Sequence, residues 1–313
     1  MKLGEPTLDQ LRLFIAVAEH GSFGGAARAL GRAVSAVSYG IAQLEAQLAL
    51  TLFAREGSRR PVLTAAGAGL LAEARGVADA ADALLAKARS LHAGQEPSLT
   101  LVIDVMVPGE VTARVLGAFR RTFPTCALTL RIEGLGAVAA CLIEGGADLA
   151  LGGPVIGDHP LLERRAVGAI ELVPVAAPSH PLARPRDRGA VAPGESRRHL
   201  QLVLTDRSPL TEGREFSVLS PLTWRLGDLG AKHSLLREGL GWGNMPRAMV
   251  AGDLAAGALV ELDLPERPGV HYALSALWRR DTRLGPAAGW LVEAFRAGLG
   301  GQPSHNGHAP PTG

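Results

Sequence analysis

Apolar residues over the first 60 positions recur at helical spacing in three short runs. Leu8, Leu11, Phe14, Ile15 and Ala18 share one face of a segment that Thr7 can cap and Gly21 can end. Ser22 heads a second run, Phe23 to Leu30, which turns Ala26, Ala27 and Leu30 inward before a tight turn at Gly31-Arg32. A third helix is predicted from about Ala33 to Ala49, with Val37, Ile41, Leu44 and Leu48 on one face. Ser35, Ser38, Tyr39 and Ala42 fall on the other face. Leu52-Phe53-Ala54 and Pro61-Val62-Leu63 read as two short strands around a charged tip, Arg55 to Arg60, which together make a wing.

A much longer helix is predicted to follow Thr64, from about Ala65 to Ala93. Leu70, Ala74, Val77, Ala81, Leu84, Ala88 and Leu91 recur at alternating steps of four and three, a heptad repeat. Such a stripe either pairs with a second copy of the helix or packs on its own domain, and the length of the repeat favours pairing.

Gln95-Glu96-Pro97 breaks that helix, and beyond it strands alternate with helices. Leu99 to Val105, Ala127 to Glu133 and Leu149 to Leu151 read as strands, with helices at Thr112 to Phe123 and Ala137 to Glu144 between them. This order predicts a parallel sheet covered on both faces. Glu171 to Ala176, Gln201 to Leu204 and Leu222 to Leu226 read as strands of a second lobe, followed by a helix from about Ala231 to Glu238. A strand at His271 to Trp278 and a helix at Gly289 to Leu299 return the chain to the first lobe. The expected division is 1–64 for the winged domain, 65–94 for the linking helix and 97–300 for the α/β domain. Within the last, one lobe comprises about 97–170 and 271–300, the other about 171–270. Residues 301–313, rich in Gly, Pro and His, read as a disordered tail.

Composition narrows the function. The 313 residues carry a net charge of only +2, so any nucleic-acid surface is local. Lys2, Lys87 and Lys232 are the only lysines, and the other basic residues are arginines. Cys126 and Cys141 are too few for a metal cluster and read as reduced core thiols. No apolar leader and no run of about 18 apolar residues is present, so the expected location is the cytoplasm and no membrane partner is predicted. No cofactor or metal is predicted.

Two short helices joined by a tight turn, the second with a polar outer face, suit a helix-turn-helix entering the major groove of double-stranded DNA. Ser35 and Ser38 can reach bases or phosphates, and Tyr39 can stack or donate to a phosphate. Arg32, Arg55, Arg59 and Arg60 add positive charge at the turn and the wing. Gly40 sits mid-helix, either for close approach of a neighbour or without purpose. The rival readings are weaker. Gly239, Gly241 and Gly243 lack the spacing of a dinucleotide-binding turn and follow a helix, which disfavours a nucleotide-dependent enzyme. A solute-binding transport protein would not carry the N-terminal module.

The runs FIAVAEHGSF, AARAL, SAVSYGIAQLE, LF.R and LTAAG, in this order between Leu11 and Gly67, resemble the N-terminal domain of the LysR-type transcriptional regulators. GLGWGNMP (Gly239 to Pro246) and AAPSHPLA (Ala176 to Ala183) resemble that family's effector domain. The resemblance implies an N-terminal all-α winged helix-turn-helix with a long linker helix that dimerises. It also implies a C-terminal α/β two-lobed effector domain like the periplasmic binding proteins, in a homodimer or homotetramer that binds promoter DNA under control of a small molecule. Ser35, Ser38 and Tyr39 would lie in the recognition helix, and Arg55, Arg59 and Arg60 at the wing. This chain departs from the family by placing Ala33 and Val34 where a hydroxyl and a polar residue, often Gln, are usual. Ala33 is a poor cap, and Val34 can touch a thymine methyl but cannot pair with adenine.

Ligands of open α/β sheets sit beyond the carboxyl ends of strands. Those positions are Asp104, Val105 and Met106; Gly134 and Leu135; Gly152 and Gly153; Thr205 and Asp206; and Trp242, Gly243 and Asn244. The Ser or Thr that many members place after the first strand is missing, and Asp104-Val105-Met106 suits an aromatic, amine-bearing or neutral ligand. Asp104 is alternatively only a helix cap, and Trp242 either stacks on the ligand or plugs the lobe interface.

Overall fold

Local chemistry sets the first three helices. Thr7 and Gln10 cap each other reciprocally, Thr7 N donating to Gln10 Oε1 at 2.8 Å, and α1 runs Leu8–His20. Ser22 accepts from Gly25 N at 2.9 Å and opens α2, Phe23–Leu30, which Gly31 ends at φ 64°, a left-handed turn that suits glycine. The third helix, α3, Val34–Leu48, starts at Ala33 with no side-chain cap. Strands β1 (Phe53–Ala54) and β2 (Val62–Leu63) pair antiparallel as the wing. The long α4 follows, Ala65–His92. In this computed structural model the described residues are 4–54, 60–92, 94–154, 159–183, 191–206, 208–266 and 270–300. Arg55, Arg59 and the expected tail beyond Gly300 lie outside them. The chain divides into two units, Met1–His92 and Ala93–Gly313.

Phe14, Val37, Ile41, Leu44, Leu52 and Phe53 form the core of the first unit, with Phe14 edge-on to Phe53 at 5.6 Å between ring centres. The Glu45 carboxylate accepts from Leu52 N (2.7 Å) and Phe53 N (3.2 Å), which fixes the wing to α3. Gly40 has a packing reason: a Cβ there would lie 2.3 Å from Leu13 Cδ1, so glycine lets α1 close on α3.

The heptad on α4 is divided. Ala74 and Ala78 are buried and Leu70 is half-buried against the unit's own core. Arg12–Asp82 and Arg75–Glu19 ion pairs tie the helix to α1. Beyond them Val77, Leu84 and Leu91 stand 51%, 70% and 51% exposed, with Ala81 half-buried and Ala88 exposed between.

In the second unit β3 (Ser98–Asp104), α5 (Gly109–Thr122), β4 (Ala127–Glu133), α6 (Gly136–Ile143) and β5 (Leu149–Gly152) build one lobe. Strand β6 (Leu162–Ala176) crosses to the other, made from β7 (Gln201–Leu204), β8 (Thr223–Leu226), α7 (Leu229–Arg237), β9 (Trp242–Pro246), α8 (Arg247–Ala256) and β10 (Val260–Glu261). Strand β11 (Val270–Arg279) crosses back, and α9 (Pro286–Gly300) closes the first lobe. The sheet order is β4-β3-β5-β11-β6-β9-β7-β8, with β10 on β6. Strands β3, β4 and β5 pair in parallel, as do β7, β8 and β9, whereas β11 runs antiparallel to both β5 and β6. Among the described residues no helix is long and apolar enough to cross a membrane.

The parallel pairing expected of the first three strands is present, and the crossing strands β6 and β11 make the whole sheet mixed. Two expectations are corrected. The crossing strand begins at Leu162 instead of Glu171, because Glu163, Arg164 and Arg165 break the apolar signal on its exposed stretch. Trp242–Pro246 is itself a buried strand and not a position beyond a strand's end. A Cβ at Gly241 or Gly243 would meet the carbonyl of Leu200 at 2.7 Å or of Leu202 at 2.6 Å. The glycine run therefore serves strand packing in the second lobe.

Candidate functional site

The outer face of α3 presents Val34 (50% exposed), Ser35, Ser38 and Tyr39 (68% exposed) to solvent, opposite the buried Val37, Ile41 and Leu44. Tyr39 Oη accepts from Gln43 Nε2 at 3.1 Å, which holds the ring along the helix. Arg32 is engaged by Asp9 through two bonds of 2.8 and 2.7 Å. That exposed pair is worth at most about 1 kcal/mol, so a phosphate can take the guanidinium over. Arg60 is exposed at the wing.

In the second unit the carboxyl ends of β3 and β7, the start of α6 and the crossing strands surround a cavity of about 180 Å³. Met106 and Leu135 reach it from the first lobe, Leu202, Phe216, Lys232 and Asn244 from the second, and His271 and Tyr272 from β11. A wider opening of about 610 Å³ adjoins it and is lined by Thr205, Asp206, Arg214 and Arg225 among others. Asp206 accepts from Ala137 N at 2.8 Å and from Thr211 Oγ1, and so joins the second lobe to the start of α6.

Asp104 caps no helix and does not line this cavity. The following helix starts behind Pro108, and the carboxyl is buried, accepting from Met106 N (2.9 Å) and Tyr272 Oη (2.8 Å). Burial pushes it up to about 6. Val105 packs half-buried beside the cleft, and Gly134 faces Val105 and Leu204. A Cβ at Gly152 would point at Leu277 and Val138, away from the cavity. Trp242 is fully buried inside the second lobe, its Nε1 donating to Ser196 O at 3.3 Å, so it neither stacks on a ligand nor plugs the lobe interface.

Lys232, Tyr272, His271 and Phe216 were not singled out by the sequence pattern. One signal was there for Lys232: it is the one lysine between residues 97 and 300, in a chain that otherwise uses arginine. The side chain is 3% exposed, and its Nζ donates to Asn244 O at 2.7 Å. Desolvation lowers it from 10.5 to about 7. Between those values the unfolded chain binds the proton and the folded chain releases it, so this contribution to stability rises with pH. Asp104, raised from 3.8 to about 6, has the opposite sign: its contribution is complete near pH 4 and is lost as pH rises through about 6. Raising the pH from 7 to 9 is expected to increase the unfolding temperature of the second unit, by calorimetry, and Lys232→Met to flatten that increase. An equal slope in the variant would disprove the assignment.

Residues 92–300 match the family model described as the LysR substrate binding domain, and residues 8–68 that of the bacterial regulatory helix-turn-helix protein, lysR family. The chain is 31% identical over 299 residues to the probable HTH-type transcriptional regulator YhaJ of Escherichia coli (91% of this chain, 94% of that protein). It is 29% identical over 301 residues to the HTH-type transcriptional regulator AceR of Acinetobacter baumannii (92% and 96%). Among solved structures, a point mutant of full-length BenM superposes with a TM-score of 0.51 at 20% identity, covering 93% of this chain and 95% of that one.

Proposed function

The chain belongs to the LysR-type family of bacterial transcriptional regulators, and from that premise we propose how its named residues carry the family's function. As a member it is a sequence-specific DNA-binding regulator whose action a small-molecule effector modulates. In this reading α3 enters the major groove with Val34, Ser35, Ser38 and Tyr39 toward the bases, while Arg32, Arg60, Arg55 and Arg59 contact phosphates. Val77, Leu84 and Leu91 pair with the same helix of a second copy, as a homodimer or within a homotetramer. The effector occupies the cavity beside Met106, Leu135, Asn244, Lys232 and Tyr272, with Thr205 and Asp206 at its mouth. Because both lobes contribute walls, an occupant favours one relative setting of the lobes over another. The protein acts in the cytoplasm on promoter DNA and catalyses no reaction.

The observation that carries the reading is the outer face of α3: Val34, Ser35, Ser38 and Tyr39 on solvent, opposite the buried Val37, Ile41 and Leu44, on a helix packed against α1 and joined to the wing through Glu45. A gel-shift assay on the DNA beside its own coding sequence tests it. Retardation that is sequence-specific and weakens steeply with salt is expected, whereas none at any salt would refute it.

Val34→Gln is expected to change the preferred base at one position of each half-site by about 1–3 kcal/mol, since Gln can pair with adenine and Val cannot. Selection of bound sequences from a random pool measures this. Identical preferences for both proteins would remove Val34 from the base-reading set.

A further inference from the structure

The placement of Lys232 says something about the chemistry of the effector. We propose that Lys232 is the anchor for the carboxylate of a small, mainly apolar monocarboxylic acid held in the cleft cavity. This deepens the reading of that cavity as the effector site and rests on it.

Three observations converge. First, the ammonium is almost completely withdrawn from water, yet the bond to Asn244 O uses only one of its three donors. A buried cation without an opposite charge is costly, and an incoming anion relieves that cost. Second, no carboxylate is found among the described residues lining the cavity. The acid that sequence position suggested, Asp104, is held behind Tyr272 Oη and Met106 N and is already fully engaged. Among the described residues that line the cavity, no negative charge answers the lysine, which leaves that role open to a ligand. Third, the rest of the wall suits an apolar body: Met106, Leu172, Leu202 and Phe216 face the same space. Gln201, the polar neighbour, is occupied by Ser217 O, Leu219 N and Ser220 N.

A Cβ at Gly243 would meet Lys232 Cε at 3.0 Å, so the glycine leaves room for the lysine stem.

The test uses the full-length protein and four probes: 3-methylbutanoate and benzoate, each beside its uncharged primary amide. Isothermal titration calorimetry is expected to show at least one acid binding at least about tenfold more tightly than its amide. Lys232→Met, of similar length without the charge, is expected to abolish that preference while leaving salt-sensitive DNA retardation unchanged. Lys232→Gln serves if the Met variant fails to fold, as judged by circular dichroism. Amides binding as well as acids, a Met or Gln variant that keeps the acid preference, or no probe binding below about 10 mM would each overturn the proposal. Such results together with intact DNA binding leave the regulator reading standing, whereas loss of specific DNA binding by the native protein would strike that reading instead.

Discussion

Replacing Leu84 and Leu91 together by glutamate is expected to halve the mass of the assembly and to weaken specific DNA binding by about 100-fold or more. Both side chains stand more than half exposed on α4, one heptad apart, with Ala88 between them. Small residues at the alternate positions let two such helices approach closely. Burying a leucine side chain contributes about 1.5–3 kcal/mol, and a symmetric pair buries each one twice. Glutamates at the same places bring like charges together across the seam. The effect on DNA follows because two recognition helices held on one frame engage two half-sites as an intramolecular event, which a single helix cannot do. Sedimentation at assay concentration, with circular dichroism to confirm an intact helix, measures the first effect, and gel shift the second. An unchanged assembly mass would place the interface elsewhere.

The second large effect lies in the sensor. Gly153→Ala is expected to destabilise the second unit by about 3 kcal/mol and to blunt any effector response. A Cβ there would fall 1.9 Å from Tyr272 Oη and 2.0 Å from its Cζ. Tyr272 is buried and its hydroxyl holds Asp104, so the ring cannot swing aside without abandoning a buried carboxyl. Overpacking of this kind costs about 1–3 kcal/mol, and an orphaned buried acceptor about as much again. All four tryptophans, Trp224, Trp242, Trp278 and Trp290, belong to this unit, so their fluorescence in a urea titration reports it alone. Gly289→Ala, inside α9 where an added Cβ meets nothing within 4 Å, is the control and is expected to stabilise by up to about 1 kcal/mol. Equal midpoints for the two variants would contradict the clash.

These cases show which features a sequence makes readable. The helices of the first unit are set by neighbours three or four positions away. Thr7, Ser22 and Gly31 mark their ends, and Val37, Ile41 and Leu44 mark the buried side of α3. The division of the α4 stripe was not readable, because the same spacing serves Ala74 against α1 and Leu84 against solvent. In the second unit, the rule that ligands gather at strand ends picked out Met106, Leu135 and Asn244, which line the cavity, and also Trp242, which does not, because β9, spelled with glycine and proline, does not look like a strand. Tyr272 meets Asp104 across 168 positions, and Lys232 reaches Asn244 only once α7 has docked on β9. No local pattern encodes either meeting.

The place of β11 has a consequence for how the protein is made. It fills the gap between β5 and β6, yet it comes from residues 270–279, near the end of the chain. At about 5–20 residues per second, the ribosome releases residues 1–92 on the order of 10–40 s before that gap can close. A nascent or prematurely terminated chain lacking its last 44 residues, from Val270 onward, would carry a finished DNA-binding unit and a sensor with two bare strand edges.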